Sequence, residues 1–498
     1  MTSSPAQLAA VAPTLVAAFK THRFTLEGLM DLLGPAGMAA WRRGEPAAVR
    51  RLCRADEALP LLVRAFLLKD EVSFDSLAQL IGPEVAALIL EDGSVAFDII
   101  PHVVEGEDHW VFSDVDASMV QHVPGPDHVL GVGAASLSLL ATVPLDPVDA
   151  VLDLGTGSGI QILGQLGVAK RVVGTDVHAR ALDFARATLA GNDHVELREG
   201  SWFEPVAGEK FDRIVANPPF VVGLPQIGHV YRDSGLSLDG ASELVVSQLA
   251  DHLKPGGTAH VLAAWVHTDA DRWQSRVASW LPDTGVCAWI VQRDVVDPEM
   301  YVGTWLRDES IDPRSPEARE RTEIWLDYFA EHGVTGIGFG YVAVQRLDDD
   351  VPSDILAEEL SHDFSDPLRD EVSEYFLRCQ WLREVTTPDI LASQFLVRPS
   401  LASEKIAIPD QEQGMGFATE LTRITRMDGP RWSHEVDEHL LRIVSGLHPA
   451  GLSLGEIIDL YAMANDVDVE TFGPAAVGAC IDLIRHGFII PSELFQEN

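Results

Sequence analysis

The sequence predicts an α/β protein. A doubly wound, mostly parallel sheet of seven strands occupies the middle of the chain. A winged-helix-like N-terminal domain precedes it, and a mixed α/β, partly winged-helix-like C-terminal domain follows. Three observations support this. Between about residues 120 and 347, apolar strand-like runs alternate with helical segments, the pattern of a sheet covered on both faces. One run opens directly into the glycine-rich turn "GTGSG" at 155–159. At 498 residues the chain is too long for one ordinary core, so roughly two to four domains are expected.

The first domain is expected over 1–118. "MTSSPAQLAAVAPTLVAAF" lacks a basic start and an uninterrupted apolar run, so it reads as a first helix and not a signal peptide. "LPLLVRAFLL" (59–68), "SFDSLAQLIG" (73–82) and "PEVAALILEDG" (83–93) have helical spacing. "SVAFDIIPHVV" (94–104) and "HWVFSDV" (109–115) read as a hairpin turning at "EGED". Few basic residues decorate this winged-helix-like order, which suits packing or substrate presentation better than DNA reading.

The second domain is expected over 119–348. Its strands are "AVLDLGTGSG" (150–159), "KRVVGTDV" (170–177), "HVELREGS" (194–201), "DRIVANPP" (212–219), "TAHVLAAW" (258–265), "CAWIVQRDV" (287–295) and "GIGFGYVAVQRL" (336–347). The last suits an antiparallel insertion. "RLDDDVPSD" (346–354) is charged and carries a proline, so it reads as a linker. The third domain, 349–498, contains three helices and a short strand within "DEHLLRIVSGL", "SLGEIIDLYA" and "GPAAVGACIDLIRHGFII". Acidic residues such as Glu435, Asp437 and Glu438 outnumber Arg431, Arg442 and Arg485 there, which favours protein or self contact over DNA.

Bulk properties narrow the function. The formal charge of −40 argues against a general nucleic-acid coat and leaves room for a local basic patch. No apolar run reaches the length of a membrane span. Cys53, Cys287, Cys379 and Cys480 lie far apart, so neither a disulfide framework nor a cysteine zinc site is expected, and the cytoplasm is the natural compartment. "HEVDEH" (434–439) is not the zinc motif H-E-x-x-H, because its second His is one residue too far to share the helix face.

The chemistry concentrates in two stretches. In "VLDLGTGSGI", Gly155, Gly157 and Gly159 let the backbone turn tightly and approach a ligand, with Thr156 between them. Asp176 ends the next strand, 21 residues after Gly155, where a carboxylate can accept from two ribose hydroxyls. Asp153, just before the loop, can hold the turn or accept from an ammonium group. The spacing G-x-G-x-G departs from the dinucleotide pattern G-x-G-x-x-G, which disfavours an NAD-dependent oxidoreductase.

"DLGTGSG" with "VVGTD" resembles the first two motifs of the class I S-adenosylmethionine-dependent methyltransferases. The resemblance implies a seven-stranded Rossmann-like sheet and S-adenosyl-L-methionine as cofactor. It implies that the glycine loop holds the amino-acid end, Asp176 the ribose, and the "GSWFEPV" stretch the adenine. That stretch is similar to "SDWF" of the release-factor glutamine methyltransferases. Ser201 stands where many relatives carry Asp, so the backbone of Ser201 and Trp202 and the indole edge are the expected adenine contacts. A core role suits Trp202 equally well.

The second stretch is "FDRIVANPPF" (211–220). Proline cannot continue a central strand, so Pro218 and Pro219 stop it at the carboxyl edge of the sheet. An amide or exocyclic amine nitrogen is a poor nucleophile, since its lone pair is delocalised. Two acceptors, the Asn217 side-chain oxygen and the Pro218 carbonyl, would hold its N–H groups and favour the charge that develops on transfer. Phe220 offers a flat wall. No base is required, so none of the 17 histidines is assigned. Asn217 also borders the cofactor. "NPPF" resembles both the release-factor enzymes and the ribosomal RNA guanine-N2 methyltransferases. "DHVLGVGAASLSLLA" (127–141) sits where the family's pre-sheet helix closes over the methionine end. "YRDSGLSLDGASELVVSQLADHLKPGG" (231–257) is similar to the segment after the motif. The resemblance covers roughly 120–347, and the outer regions are similar to large actinobacterial-type methyltransferases of unassigned substrate.

The expected function is N-methylation of a planar amino or amide nitrogen, a nucleobase in RNA or DNA ahead of a protein glutamine, with RNA ahead of DNA. A cofactor-binding module without catalysis is the remaining alternative.

Overall fold

The computed structural model describes residues 4–116, 118–120, 125, 127–225, 234–270, 272–309, 311–360 and 367–494. The chain divides into two compact units. One comprises 1–140 and 145–358, the other 141–144 and 359–498.

The first unit is built on an eight-stranded sheet. Its strands are β1 (Val148–Leu154), β2 (Ala169–Asp176), β3 (Val195–Glu199), β4 (Phe211–Ala216), β5 (Leu253–Thr268), β6 (Val286–Val296), β7 (Val334–Arg346) and β8 (Asp354–Glu359). The spatial order is β8-β6-β7-β5-β4-β1-β2-β3. Strands β1 to β5 pair in parallel, while β7 runs antiparallel to both β5 and β6. Buried apolar residues fill β1, β2 and β4, as both-face burial requires. The strand order reverses between β1 and β4, so a crevice is expected at their carboxyl ends.

All seven expected strands are present, and β7 is the antiparallel insertion. β8 was not expected, since its residues begin at the end of the assumed linker and lie beyond the boundary placed at 348. "DILAEE" is half-exposed along its length, and its carboxylates suit an edge strand, where charge discourages further pairing. Two helices, Pro298–Asp308 and Pro316–Glu331, separate β6 from β7.

Close backbone approach fixes the β6–β7–β5 layer. A Cβ on Gly340 of β7 would collide with the Val291 carbonyl, and the Trp265 ring also lies against that point. Gln292 accepts from Trp265 Nε1 (2.8 Å) and bonds His267 Nε2 (2.7 Å).

The N-terminal region supplies helices including Leu8–Thr21 and Leu26–Arg42, and a hairpin of Asp98–Val104 with Glu107–Ser113. The second helix is kinked at Gly34, whose φ is 63°, just before Pro35. Phe19, Phe24, Phe66 and Trp110 form the core, and Trp110 Nε1 donates to the Phe24 carbonyl at 2.8 Å. That core also takes in Ala181, Phe184 and Ala187 of the helix Ala179–Thr188, which follows β2. The boundary expected at 118 therefore falls inside one continuous unit.

The second unit contains the three expected helices, Glu438–Gly446, Leu454–Asn465 and Val469–Arg485, and the strand Ile489–Pro491. It also carries the helix Arg369–Glu384 and a hairpin of Leu401–Pro409 with Phe417–Arg426. Buried Glu371 accepts from Arg378 at 2.6 Å and from Arg426. Arg378, Arg426 and Arg398 donate in turn to the carbonyls of Arg485, His486 and Gly487, which satisfies the end of the last long helix. Among the described residues no helix is long and apolar enough to cross a membrane.

Candidate active site

The turn after β1 is held by its own backbone. The N–H groups of Gly155 and Thr156 donate to the Thr175 carbonyl at 2.9 and 2.8 Å. Gly155, Gly157 and Gly159 have φ of 75°, 52° and 90°, a conformation that strains any residue with a Cβ. The Gly157 N–H donates to Asp176 Oδ2 at 2.9 Å, and the His178 N–H donates to Oδ1 at 2.9 Å. Asp176, at the end of β2, thus anchors the glycine loop, and each of its oxygens keeps a lone pair for another donor. Burial raises its pKa against the opposing pull of those N–H groups.

Asp153 is 1% exposed. Its Oδ2 accepts from the Thr156 hydroxyl at 2.6 Å, and its Oδ1 has no partner. Burial pushes the carboxyl up to about 7, with the Asp176 charge adding to the shift and Thr156 opposing it. A buried acceptor of this kind is matched by a donor from a ligand, above all a cationic one.

Gln161 lies in the short helix Ile160–Leu163 behind the loop and is 5% exposed. Its Nε2 donates to the Ser136 carbonyl at 2.8 Å, while its Oε1 has no partner. Ser136 belongs to the helix Ala134–Leu140, the expected pre-sheet helix. The Ser136 hydroxyl accepts from Asn217 Nδ2 at 3.3 Å.

Asn217 follows β4, as its sequence suggested. A Cβ on Gly155 would lie 3.9 Å from Pro218 Cα, so the glycine loop and the proline stretch lie side by side with room for little more than a methyl group between them. Pro218 is buried, whereas Asn217, Pro219 and Phe220 are half-buried. Phe220 packs against a buried cluster that includes Tyr301, Val302 and Phe329, and Trp305, Trp325 and Phe339 pack against the same cluster. The Val222 N–H donates to the Tyr301 hydroxyl at 2.6 Å. The inserted helices therefore form the wall behind Phe220.

Ser201 and Trp202 follow β3 and are half-buried. Trp202 has φ of 48°, rare for a bulky side chain, and packs against the sheet core. The Ser201 carbonyl accepts from the Glu204 N–H at 3.0 Å, which closes this turn. Of the segment 231–257, residues 231–233 lie outside the described residues, and the rest leads into the helix Gly240–His252.

Sequence reasoning missed Ser136, Gln161 and Tyr301. Ser136 sits in "AASLSLL", which reads as an ordinary apolar helix. Gln161 left a signal, since it is the one polar residue in the buried turn "IQIL".

Comparison with known proteins bears on this same segment. Residues 130–264 match the methyltransferase small domain family. This part of the chain is similar to the methyltransferase small domains. The domain spans the helix carrying Ser136, the glycine loop, "NPPF" and most of β5. Residues 21–98 and 373–491 match two further families, both described as domains of unknown function.

The chain is 35% identical over 128 residues to the release factor glutamine methyltransferase of Xylella fastidiosa strain Temecula1, covering 23% of this chain and 46% of that protein. It is 27% identical over 232 residues to the ribosomal RNA small subunit methyltransferase C of Serratia proteamaculans, covering 45% of this chain and 63% of that protein. The matched part is thus less than two thirds of either relative. A Thermus thermophilus 16S rRNA N2 G1207 methyltransferase, solved with AdoMet and guanosine, aligns with a TM-score of 0.28 and 21% identity, over 38% of this chain and 47% of that one.

Proposed function

We propose that the protein is an S-adenosylmethionine-dependent N-methyltransferase acting on a planar amino or amide nitrogen, foremost a nucleobase in RNA. One observation carries this reading: a glycine loop flanked by a buried carboxylate oxygen, unpartnered among the described residues, lies beside an Asn-Pro-Pro-Phe turn at the reversal of strand order. The residues fit the cofactor. Asp153 Oδ1 suits its ammonium group, the spare lone pairs of Asp176 suit ribose hydroxyls, and Ser201 with Trp202 line the expected adenine side. When bound, S-adenosylmethionine supplies a methyl group on a sulfonium that is its own leaving group. The chain's remaining task is to aim a weak nucleophile. Asn217 Oδ1 and the Pro218 carbonyl accept the two N–H groups of the acceptor, and the prolines fix where those oxygens point. Phe220, packed on the cluster that contains Tyr301, supplies the flat wall. The nitrogen would be left with an extra proton to shed to water, and no side chain is assigned as a base.

The relatives that act on ribosomal RNA support the RNA reading. A protein glutamine is the second reading, favoured by the formal charge of −40, which repels nucleic acid. Four buried cysteines, widely spaced in the sequence, fit a reducing compartment, and we assign the protein to the cytoplasm. The test is incubation with radiolabelled S-adenosylmethionine and extract from cells lacking the protein, followed by separation of RNA, DNA and protein. Label in RNA is expected. Label in protein would select glutamine instead. Cofactor binding with no label in any fraction would leave a binding module and overturn the enzymatic reading.

A further inference from the structure

Two buried acceptors near the glycine loop have no partner among the described residues, Asp153 Oδ1 and Gln161 Oε1. The first is absorbed by the reading above. The second is not. Gln161 Nε2 donates to a carbonyl, Ser136 O, which can only accept, so the orientation of this amide is fixed and its oxygen must point the other way. A buried amide oxygen left open costs stability unless a ligand donor reaches it. On the far side of Ser136, the hydroxyl bonds Asn217 Nδ2. In this arrangement the Asn217 oxygen points away from Ser136 and accepts no hydrogen bond among the described residues.

We infer that Gln161 and Ser136 form a positioning relay between cofactor and acceptor. It rests on the proposed function. The ammonium group at the amino-acid end of the cofactor donates to Gln161 Oε1 as well as to Asp153. With its oxygen engaged, Gln161 holds Ser136 more firmly, and Ser136 fixes the Asn217 amide with Oδ1 presented to the acceptor nitrogen. Neither Gln161 nor Ser136 touches the reacting atoms. Each acts through the next, so an empty cofactor site leaves Asn217 less ordered and the acceptor poorly held.

The chain contains four asparagines, so selective 15N labelling of Asn gives four side-chain amide signals, and loss in Asn217→Ser identifies the one needed. Hydrogen exchange of that amide reads the Ser136 bond without any methyl acceptor. In the wild-type protein, saturating S-adenosylhomocysteine is expected to slow exchange on the order of tenfold, the value of one ordinary hydrogen bond. Ser136→Ala should exchange fast with or without the ligand, and Ser136→Thr should restore protection. Gln161→Leu should bind S-adenosylhomocysteine about tenfold more weakly by calorimetry and show no slowing even at saturation. Gln161→Glu keeps an acceptor for the ammonium but loses the donor to Ser136, so it should bind and still fail to slow exchange. The other three asparagine signals report that each variant is folded. Equal slowing in wild type and Gln161→Leu would overturn the relay, as would unchanged protection in Ser136→Ala. If the wild-type protein binds no S-adenosylhomocysteine, the proposed function falls, together with the ammonium half of the relay. The Ser136–Asn217 half is then judged on the ligand-free rates alone.

Discussion

On the proposed function, Asp153 is the residue where stability and ligand binding oppose each other. Its carboxyl titrates at about 7 in the folded protein against an ordinary 3.8, because burial disfavours the charge. Between those values the folded protein holds a proton that the unfolded chain has released. This group's contribution to stability therefore falls as pH rises across that window and is level above it. An Asp153→Asn variant should gain on the parent protein in denaturant midpoint from pH 4 to 7, with a constant difference beyond. Ligand binding runs the other way. Only the ionised carboxylate pairs with an ammonium, so S-adenosylhomocysteine should bind about tenfold tighter at pH 8 than at pH 6, and calorimetry on Asp153→Asn should show that dependence lost. Asn217→Ala should abolish methyl labelling while leaving cofactor affinity nearly intact, whereas Asp176→Ala should weaken that affinity and loosen the glycine loop. The glycines, the two acids and "NPPF" were legible at this scale because their chemistry demands fixed residue types at fixed places in the chain. Ser136 and Gln161 were not, since their roles come from contacts between segments that only the folded sheet brings together.

Elements were legible to the extent that their burial is uniform. β1, β2 and β4 are buried on both faces, so their apolar runs stand out, and the antiparallel β7 follows from its position in the chain. β8 escaped notice because an edge strand is half-exposed and its charges mimic a linker. The wall behind Phe220 escaped as well. Nothing in "PEMYVGTWLRD" or in the helix Pro316–Glu331 announces that Tyr301 and Trp325 meet across an insertion. The β6–β7 layer offers a sharp test. A methyl group at Gly340 has no space beside the Val291 carbonyl, and backbone cannot move aside as a side-chain tip can. Gly340→Ala should therefore cost about 3 kcal/mol in urea unfolding, the upper end of ordinary overpacking. An Ala variant as stable as the parent would mean that the two strands lie further apart than described here.

For the molecule as a whole, the dominant electrostatic fact is the formal charge of −40. Self-repulsion of that size opposes compaction and is screened by salt, so the melting temperature should rise as sodium chloride increases from 0.05 to 0.5 M, where the Debye length shrinks to a few ångströms. The interior of the second unit behaves differently. Burial alone would push the Glu371 carboxyl up, but Arg378 and Arg426 hold it below its ordinary range. Removing that charge leaves the buried Arg378 and Arg426 with one partly exposed carboxylate each, Glu374 and Asp428. Glu371→Gln should destabilise this unit by about 3–5 kcal/mol with little dependence on salt. The boundary placed at 118 shows what sequence patterning leaves out at this scale. A change from helical to alternating pattern marks a change of architecture, yet Phe184 and its neighbours join the N-terminal core to the helix after β2.

The unpartnered oxygen of Asp153 has a further consequence, in proton traffic. Near neutrality about half of the molecules carry a proton there, and a cation arriving beside it drives that proton off. Each binding event at pH 7 therefore releases about half a proton to solution. The measured heat of binding then includes the buffer's own heat of protonation. Titrations in phosphate and in Tris should give different enthalpies and the same affinity, and the slope of enthalpy against buffer ionisation heat counts the protons that leave.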